Sequence, residues 1–241
     1  MTPLLFLHGL GGGHHAWELQ LPYFGGLGYP SHAWDQPGYG HSPIVEPYDL
    51  EQLSASLARL IESLSDEPVV LIGHSMGGLI AQETYVRHPR LVRALVLCFT
   101  SPAFAGGGSE FTRQFIAARI APLDQGKSMA DVAAQLIRTM GSNSRLAEQI
   151  MAGVPAETYR KAVRLLTTFD RRKELADIKV PTLLIAGAED QTAPAAMMER
   201  MAQKIPGAEY VRLQGCGHLG PMDRPEDFNT ALLSFLQRHQ L

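Results

Sequence analysis

Ser75 stands at the apex of the segment Val69-Val70-Leu71-Ile72-Gly73-His74-Ser75-Met76-Gly77-Gly78. The four apolar residues at its start have the composition of a buried parallel strand. Leu79 to His88 then carries apolar positions at helical spacing. A strand, a sharp turn and a helix are therefore expected, with a serine on the turn. Gly73, Ser75 and Gly77 match G-x-S-x-G. A serine hydroxyl is a poor nucleophile until a base takes its proton. Such a turn pushes the hydroxyl out at the sheet edge, strains the backbone and crowds strand against helix, so the neighbours must be small. It also sets the N–H of Met76 at a helix N-terminus, facing the space where an oxyanion would form. The expected chemistry is attack of Ser75 on an acyl carbon. The plain alternative is a Gly-rich turn without chemistry, since a bare G-x-S-x-G has many chance matches.

The elements around this turn read as an alternation of strands and helices. Pro3–Leu7, Ser31–Asp35, Val69–Ile72, Ala94–Phe99, Thr182–Ala186 and Glu209–Leu213 are predicted strands. Helices are predicted from about His14 to Gly25, from Leu50 to about Ser63 with Asp49 as cap, after the serine turn up to Pro89, over Ala195–Ile205 and from about Pro225 to His239. This pattern implies a mostly parallel sheet with helices on both faces. Residues 101–174 break it. They contain no convincing strand, a flexible entry at Gly106-Gly107-Gly108, and helical segments near Phe111–Ile120, Met129–Met140, Leu146–Met151 and Tyr159–Phe169, punctuated by Pro122, Gly141 and Pro155. The expected organisation is a core of residues 1–100 and 175–241 with a helical insertion at 101–174.

Composition bounds the rest. The 241 residues suffice for a large core, and the net charge of −3 comes with no basic run. Nucleic acid and anionic membrane are poor partner expectations. Two cysteines, Cys98 and Cys216, make no disulfide framework. The start, MTPLLFLHG, has no basic residue and too short an apolar run for a signal peptide, and no transmembrane segment appears. A cytoplasmic location is the expectation.

In a parallel sheet the working residues occupy loops beyond the carboxyl ends of the strands. Four such loops carry candidates: His8-Gly9-Leu10, Ser75, Asp190 and His218. The glycine loop Leu10–Gly13 fits neither phosphate-binding pattern, and its other use is a backbone N–H for an oxyanion. The order Ser, Asp, His is that of one large superfamily with this turn.

Five segments now carry a resemblance to the α/β-hydrolases. His8-Gly9-Leu10-Gly11-Gly12 resembles their oxyanion loop, and Gly73–Gly78 the nucleophile elbow. Asp35-Gln36-Pro37-Gly38-Tyr39-Gly40-His41-Ser42 resembles a D-x-R-G-x-G-x-S loop, with Pro37 in place of arginine. Gly187–Pro194 resembles the acid loop and Gly215–Phe228 the histidine loop. The chain starts at what is normally the third strand, and the family's N-terminal hairpin is expected to be missing. A sheet of about six strands is expected, with Ser31–Asp35 at its edge, covered by the loop near Tyr48 or by a second copy in a homodimer.

The resemblance implies roles. Ser75 is the nucleophile, His218 the base, and Asp190 the acid that orients the imidazole. The N–H groups of Leu10 and Met76 form the oxyanion hole. Residues 101–174 form a cap over the site. No cofactor is implied. Other readings compete at each position. Glu189 could be the acid, His218 could cap a turn, His14-His15 could ligate metal, and Cys216 could be taken for a nucleophile. His8 and Asp35 read as structural, and Tyr39, Trp17 and Trp34 as packing. Met129, Met140 and Met151 could line a pocket or fill a helix core. Arg113, Arg119, Lys127, Arg138 and Arg145 should mostly face solvent.

The chemistry fits a small-molecule ester or lactone substrate, and the nearest resemblance is to the 3-oxoadipate enol-lactonase-like serine hydrolases. Phe169-Asp170-Arg171-Arg172-Lys173-Glu174-Leu175 and the His218-Leu219 pair support it. Meta-cleavage C–C hydrolases, which tend to have Asn before the serine and Trp after the histidine, are the first alternative. Cofactor-free perhydrolases share the turn, and ligand receptors on the same fold with a slow triad form a further class.

Overall fold

A computed structural model describes residues 1–104 and 109–241. The predicted glycine entry at Gly106–Gly108 lies outside the described residues. The chain begins with β1 (Leu4–Leu7), a 3-10 turn at His14–Trp17, α1 (Gln20–Gly26), β2 (Ser31–Trp34) and α2 (Leu50–Leu64). Then follow β3 (Val69–His74), α3 (Met76–Arg87) and β4 (Val92–Cys98). Among the described residues, four α-helices stand between β4 and the next strand: α4 (Ser109–Asp124), α5 (Met129–Thr139), α6 (Arg145–Ala152) and α7 (Ala156–Leu166). The chain closes with β5 (Thr182–Gly187), α8 (Ala195–Ala202), β6 (Glu209–Leu213), α9 (Gly220–Asp223) and α10 (Pro225–Arg238).

The six strands form one parallel sheet in the order β2-β1-β3-β4-β5-β6. Among the described residues the expected six strands are there, and β2 pairs only with β1, as an edge strand. Alternate strand residues feed two cores. Leu5, Leu7, Leu71 and Leu97 pack on one face with α2, α3 and α8. Leu4, Phe6, Ile72 and Val96 pack on the other with Phe24 of α1 and Phe228, Leu232 and Phe235 of α10. Burial on both faces explains why the strands read as unbroken apolar runs. Asp49 caps α2 as expected, its side chain accepting from the Gln52 N–H at 2.8 Å.

One expectation about the insertion fails. Pro122 punctuates the predicted helices, but α4 runs through it to Asp124. A proline here removes only the bond to the Ala118 carbonyl, in a last turn that is about to end. The next donors still bond backward, Gln125 N–H to Ala121 O at 3.0 Å and Lys127 N–H to Pro122 O at 2.9 Å. The two ends of the insertion meet. Phe104 N–H donates to Phe169 O at 2.9 Å and Arg171 N–H to Pro102 O at 2.8 Å. The Arg171 guanidinium then reaches the buried Glu83 of α3 at 2.6 Å. Among the described residues no helix is long and apolar enough to cross a membrane.

Candidate active site

The turn between β3 and α3 places Ser75 in a conformation that L-residues rarely adopt, with φ 53° and ψ −117°. Its backbone is held on both sides. Ser75 N–H donates to Cys98 O at 2.9 Å, and Thr100 Oγ1 donates to Ser75 O at 2.8 Å. The small neighbours are required for a concrete reason. A β-carbon on Gly73 would lie 2.5 Å from the Gly77 carbonyl oxygen, and one on Gly77 would strike the Leu7 carbonyl. Strand and helix thus touch through bare backbone, and strain of this kind persists only where the surroundings over-determine it.

Two loops bring partners to this serine. Asp190 follows β5 and is buried; its Oδ1 accepts from the N–H groups of Thr192 at 2.7 Å and Ala193 at 2.9 Å. That leaves Oδ2 for His218 Nδ1, 2.7 Å away. A carboxylate only accepts, so Nδ1 carries the proton and Nε2 presents its lone pair. Nε2 faces Ser75 Oγ at 3.0 Å. Burial alone would raise the Asp190 carboxyl, but the hydrogen bonds from His218, Ala193 and Thr192 outweigh it and hold the group below the usual carboxylate range. Glu189 is exposed, so the aspartate and not its neighbour meets His218.

Leu10 follows β1, and Tyr39 Oη donates to its carbonyl at 2.8 Å. Tyr39 is therefore packing, as expected, and also a tether. Met76 is the first residue of α3, where an N–H has no intrahelical acceptor. Among the described residues neither the Leu10 nor the Met76 N–H donates to a protein acceptor. His8 is structural: Gln36 N–H donates to its Nε2 at 3.2 Å, so Nδ1 holds the proton and donates to Gly9 O at 2.8 Å. Burial lowers its pKa to about 4, which keeps it neutral. His14 is engaged by Asp35, with its N–H at 2.7 Å and Nδ1 at 2.8 Å. Among the described residues no group of three His, Cys, Asp or Glu is placed to hold a metal. Burial pushes the Cys216 thiol up to about 12, so it stays protonated and a poor nucleophile.

Three residues of the site escaped the sequence. The sequence marks His74 only as the residue before the serine. Its Nε2 donates to the His218 carbonyl oxygen at 2.8 Å, and burial first, then the His218 ring, lower its pKa to about 3. Phe99, in a left-handed conformation (φ 49°) at the end of β4, sets its ring edge-on to His218. Arg119 departs from the expectation for the insertion's basic residues. Arg113, Lys127, Arg138 and Arg145 are exposed, whereas Arg119 is half-buried and lines a cavity with Ser75.

Ser75 and His218 stand between two cavities. One has a volume of about 50 Å³ and apolar walls that include Ile137, Met140, Met151 and Leu219. Leu10 borders it as well. The other has about 660 Å³, with Phe99, Phe104, Phe111, Phe115 and Arg119 in its walls, and Met76 borders it. Met140 and Met151 are pocket residues, while Met129 is buried helix core. The arrangement can take a proton from a serine, hold a small group on one side and a larger one on the other, and offer two free N–H groups nearby.

Comparison with known proteins agrees with this fold. The family model for the alpha/beta hydrolase fold matches residues 2–225. BpoC of Mycobacterium tuberculosis, whose name is that of a non-heme bromoperoxidase, is 30% identical, the match covering 97% of this chain and 93% of that protein. A pimeloyl-acyl-carrier-protein methyl ester esterase of Aromatoleum aromaticum is 31% identical over 93% of this chain and 94% of its own. The enol-lactonase structure from Burkholderia xenovorans LB400 shares the fold, with a TM-score of 0.82, 24% identity, and 98% and 92% of the two chains covered. Sheet order, serine turn and family match together make this chain a member of the alpha/beta hydrolase fold family.

Proposed function

We propose that the protein hydrolyses a small carboxylic ester or lactone through an acyl-enzyme on Ser75. His218 Nε2 takes the Ser75 proton as Oγ attacks the carbonyl carbon, then gives it to the leaving alkoxide. Water next loses a proton to His218 and attacks the acyl carbon; the bond to Ser75 Oγ breaks, His218 returns the proton to Oγ, and the acid is released. Asp190 holds the tautomer and stabilises the imidazolium. The Leu10 and Met76 N–H groups receive the oxyanion; one such donor contributes about 3 kcal/mol. Residues 101–174 serve as the cap over a core of 1–100 and 175–241. The observation that carries this reading is the 3.0 Å approach of His218 Nε2 to Ser75 Oγ, with Nδ1 fixed by Asp190 at 2.7 Å.

The neighbours' names are compatible with it. An esterase of methyl esters needs room for one small group, and the 50 Å³ cavity gives room for a few heavy atoms. A bromoperoxidase-like perhydrolysis would use the same acyl-enzyme with peroxide in place of water. One observation favours a second reading. C–C hydrolysis of a ring-cleavage acid needs a basic residue for the substrate carboxylate, and Arg119 lines the larger cavity. The test is kcat/KM on a p-nitrophenyl ester, an enol-lactone and a ring-cleavage dienol acid, measured side by side. Preference for the dienol acid by more than about a hundredfold, 2.7 kcal/mol, would replace the ester reading with the C–C one.

A further inference from the structure

We infer that the larger cavity selects substrates whose far end is a carboxylate, held by Arg119. This rests on the ester or lactone reading for the reaction, though not for the binding. Arg119 lies on α4, half-buried, its guanidinium 5.2 Å from the centre of the Phe115 ring. Other arginines around it are matched by acids. Arg113 pairs with Glu110, Arg160 with Asp124, and Arg172 with Asp170. Arg119 has no carboxylate partner among the described residues, and the four residues outside the description, Ala105 to Gly108, contain no acid. The cavity walls include two arginines and no aspartate or glutamate. The Tyr159 hydroxyl is buried beside Arg119, whose guanidinium is its neighbouring polar group.

A guanidinium stays charged at any working pH. Phe104, Phe111 and Phe115 around it lower the local dielectric and strengthen its pull on an anion. A substrate with a neutral apolar end would displace water from Arg119 and give nothing back. A carboxylate would restore the lost hydrogen bonds, with a planar fork matched to its two oxygens. The cation stacked on Phe115 is pre-oriented for this. Ser75 borders both cavities, so the scissile bond lies between a small apolar group and the arm that ends at Arg119. Monoesters of dicarboxylic acids with small alcohols, and lactones bearing a carboxylate arm, have this form.

The test compares mono-methyl esters of linear dicarboxylic acids, from succinate to suberate, with methyl alkanoates of the same length. The expected result is a preference for one anionic ester by at least about tenfold in kcat/KM. Arg119→Gln should lower kcat/KM on the anionic ester at least about tenfold more than on the neutral one, removing that preference, while Arg119→Lys keeps part of it. Binding of glutarate to Ser75→Ala, measured by calorimetry, reads the subsite without chemistry. It should weaken about tenfold in the Ser75→Ala, Arg119→Gln double variant and with rising salt. Equal loss on neutral and anionic esters, or glutarate binding indifferent to Arg119, overturns the inference. Should no ester be hydrolysed while glutarate binding still depends on Arg119, the anion subsite stands and the ester reading falls.

Discussion

His218 Nε2 lies 3.0 Å from Ser75 Oγ across 143 residues of chain. Two different constraints hold the pair. The serine is fixed by a strained turn packed on bare glycine backbone, and the histidine by a carboxylate at one ring nitrogen and by His74 at its own carbonyl. Each constraint can be removed separately.

Asp190→Asn replaces the acceptor of the His218 Nδ1 proton with a group that can donate. The imidazole then turns to the wrong tautomer, and kcat on a p-nitrophenyl ester should fall by about 10⁴, the loss known for the serine-protease triad. Glu189→Gln should stay within about twofold, because Glu189 is exposed and Asp190 alone meets His218. Comparable losses in the two variants would contradict the assignment of the acid.

The strain at Ser75 should be visible in stability. With φ at 53° and ψ at −117°, glycine fits the position better than any residue with a β-carbon. Ser75→Gly should be inactive and about 1 kcal/mol more stable than Ser75→Ala in urea denaturation. Equal stabilities would mean that the turn stores no strain.

Buried neutral histidine gives a pH dependence of stability with a definite sign. His8 is held at about 4 by burial, against an ordinary value near 6.5. Between those limits the unfolded chain binds a proton and the folded chain does not, so stability rises with pH and is lost on acidification. From pH 6.5 down to 5 the loss from this residue should be about 2 kcal/mol. His8→Gln should show a shallower decline over that window, whatever its stability at pH 7. A slope unchanged by the substitution would contradict the account.

The ion pair between Arg171 and buried Glu83 ties the exit of the insertion to α3. Arg171→Ala leaves Glu83 with only Arg87 at 2.5 Å. A loss of about 1–2 kcal/mol is expected, below that of a fully orphaned buried charge, because Arg87 still neutralises Glu83. The neighbouring exposed pair, Arg172 with Asp170, should contribute under about 1 kcal/mol. The two single variants, compared by thermal unfolding, check this ranking.

Much of this was readable in the chain because it is written locally. Val69–Ile72 and Leu4–Leu7 are apolar throughout because both sheet faces are covered, and Gly73, Ser75 and Gly77 mark a turn only small residues allow. Asp190 and His218 follow strands, so chain order located them. What was hidden depends on distant contacts or on which way a helix faces. The hydrogen bond from His74 to the His218 carbonyl spans 144 residues and has no local signal. Only Ile120 of α4 is buried, so its sequence lacks the clear stripe that would show Arg119 facing inward. Pro122 misled because its place in the last turn was invisible before the helix end was known.

Ser75 as a nucleophile activated by His218 is open to direct chemical labelling. A fluorophosphonate probe reacts only with such a serine, and peptide mass spectrometry locates the adduct. One adduct is expected, on the peptide carrying Ser75, absent in Ser75→Ala and formed far more slowly in His218→Ala. Labelling that persists in Ser75→Ala, or proceeds at an unchanged rate in His218→Ala, would contradict it.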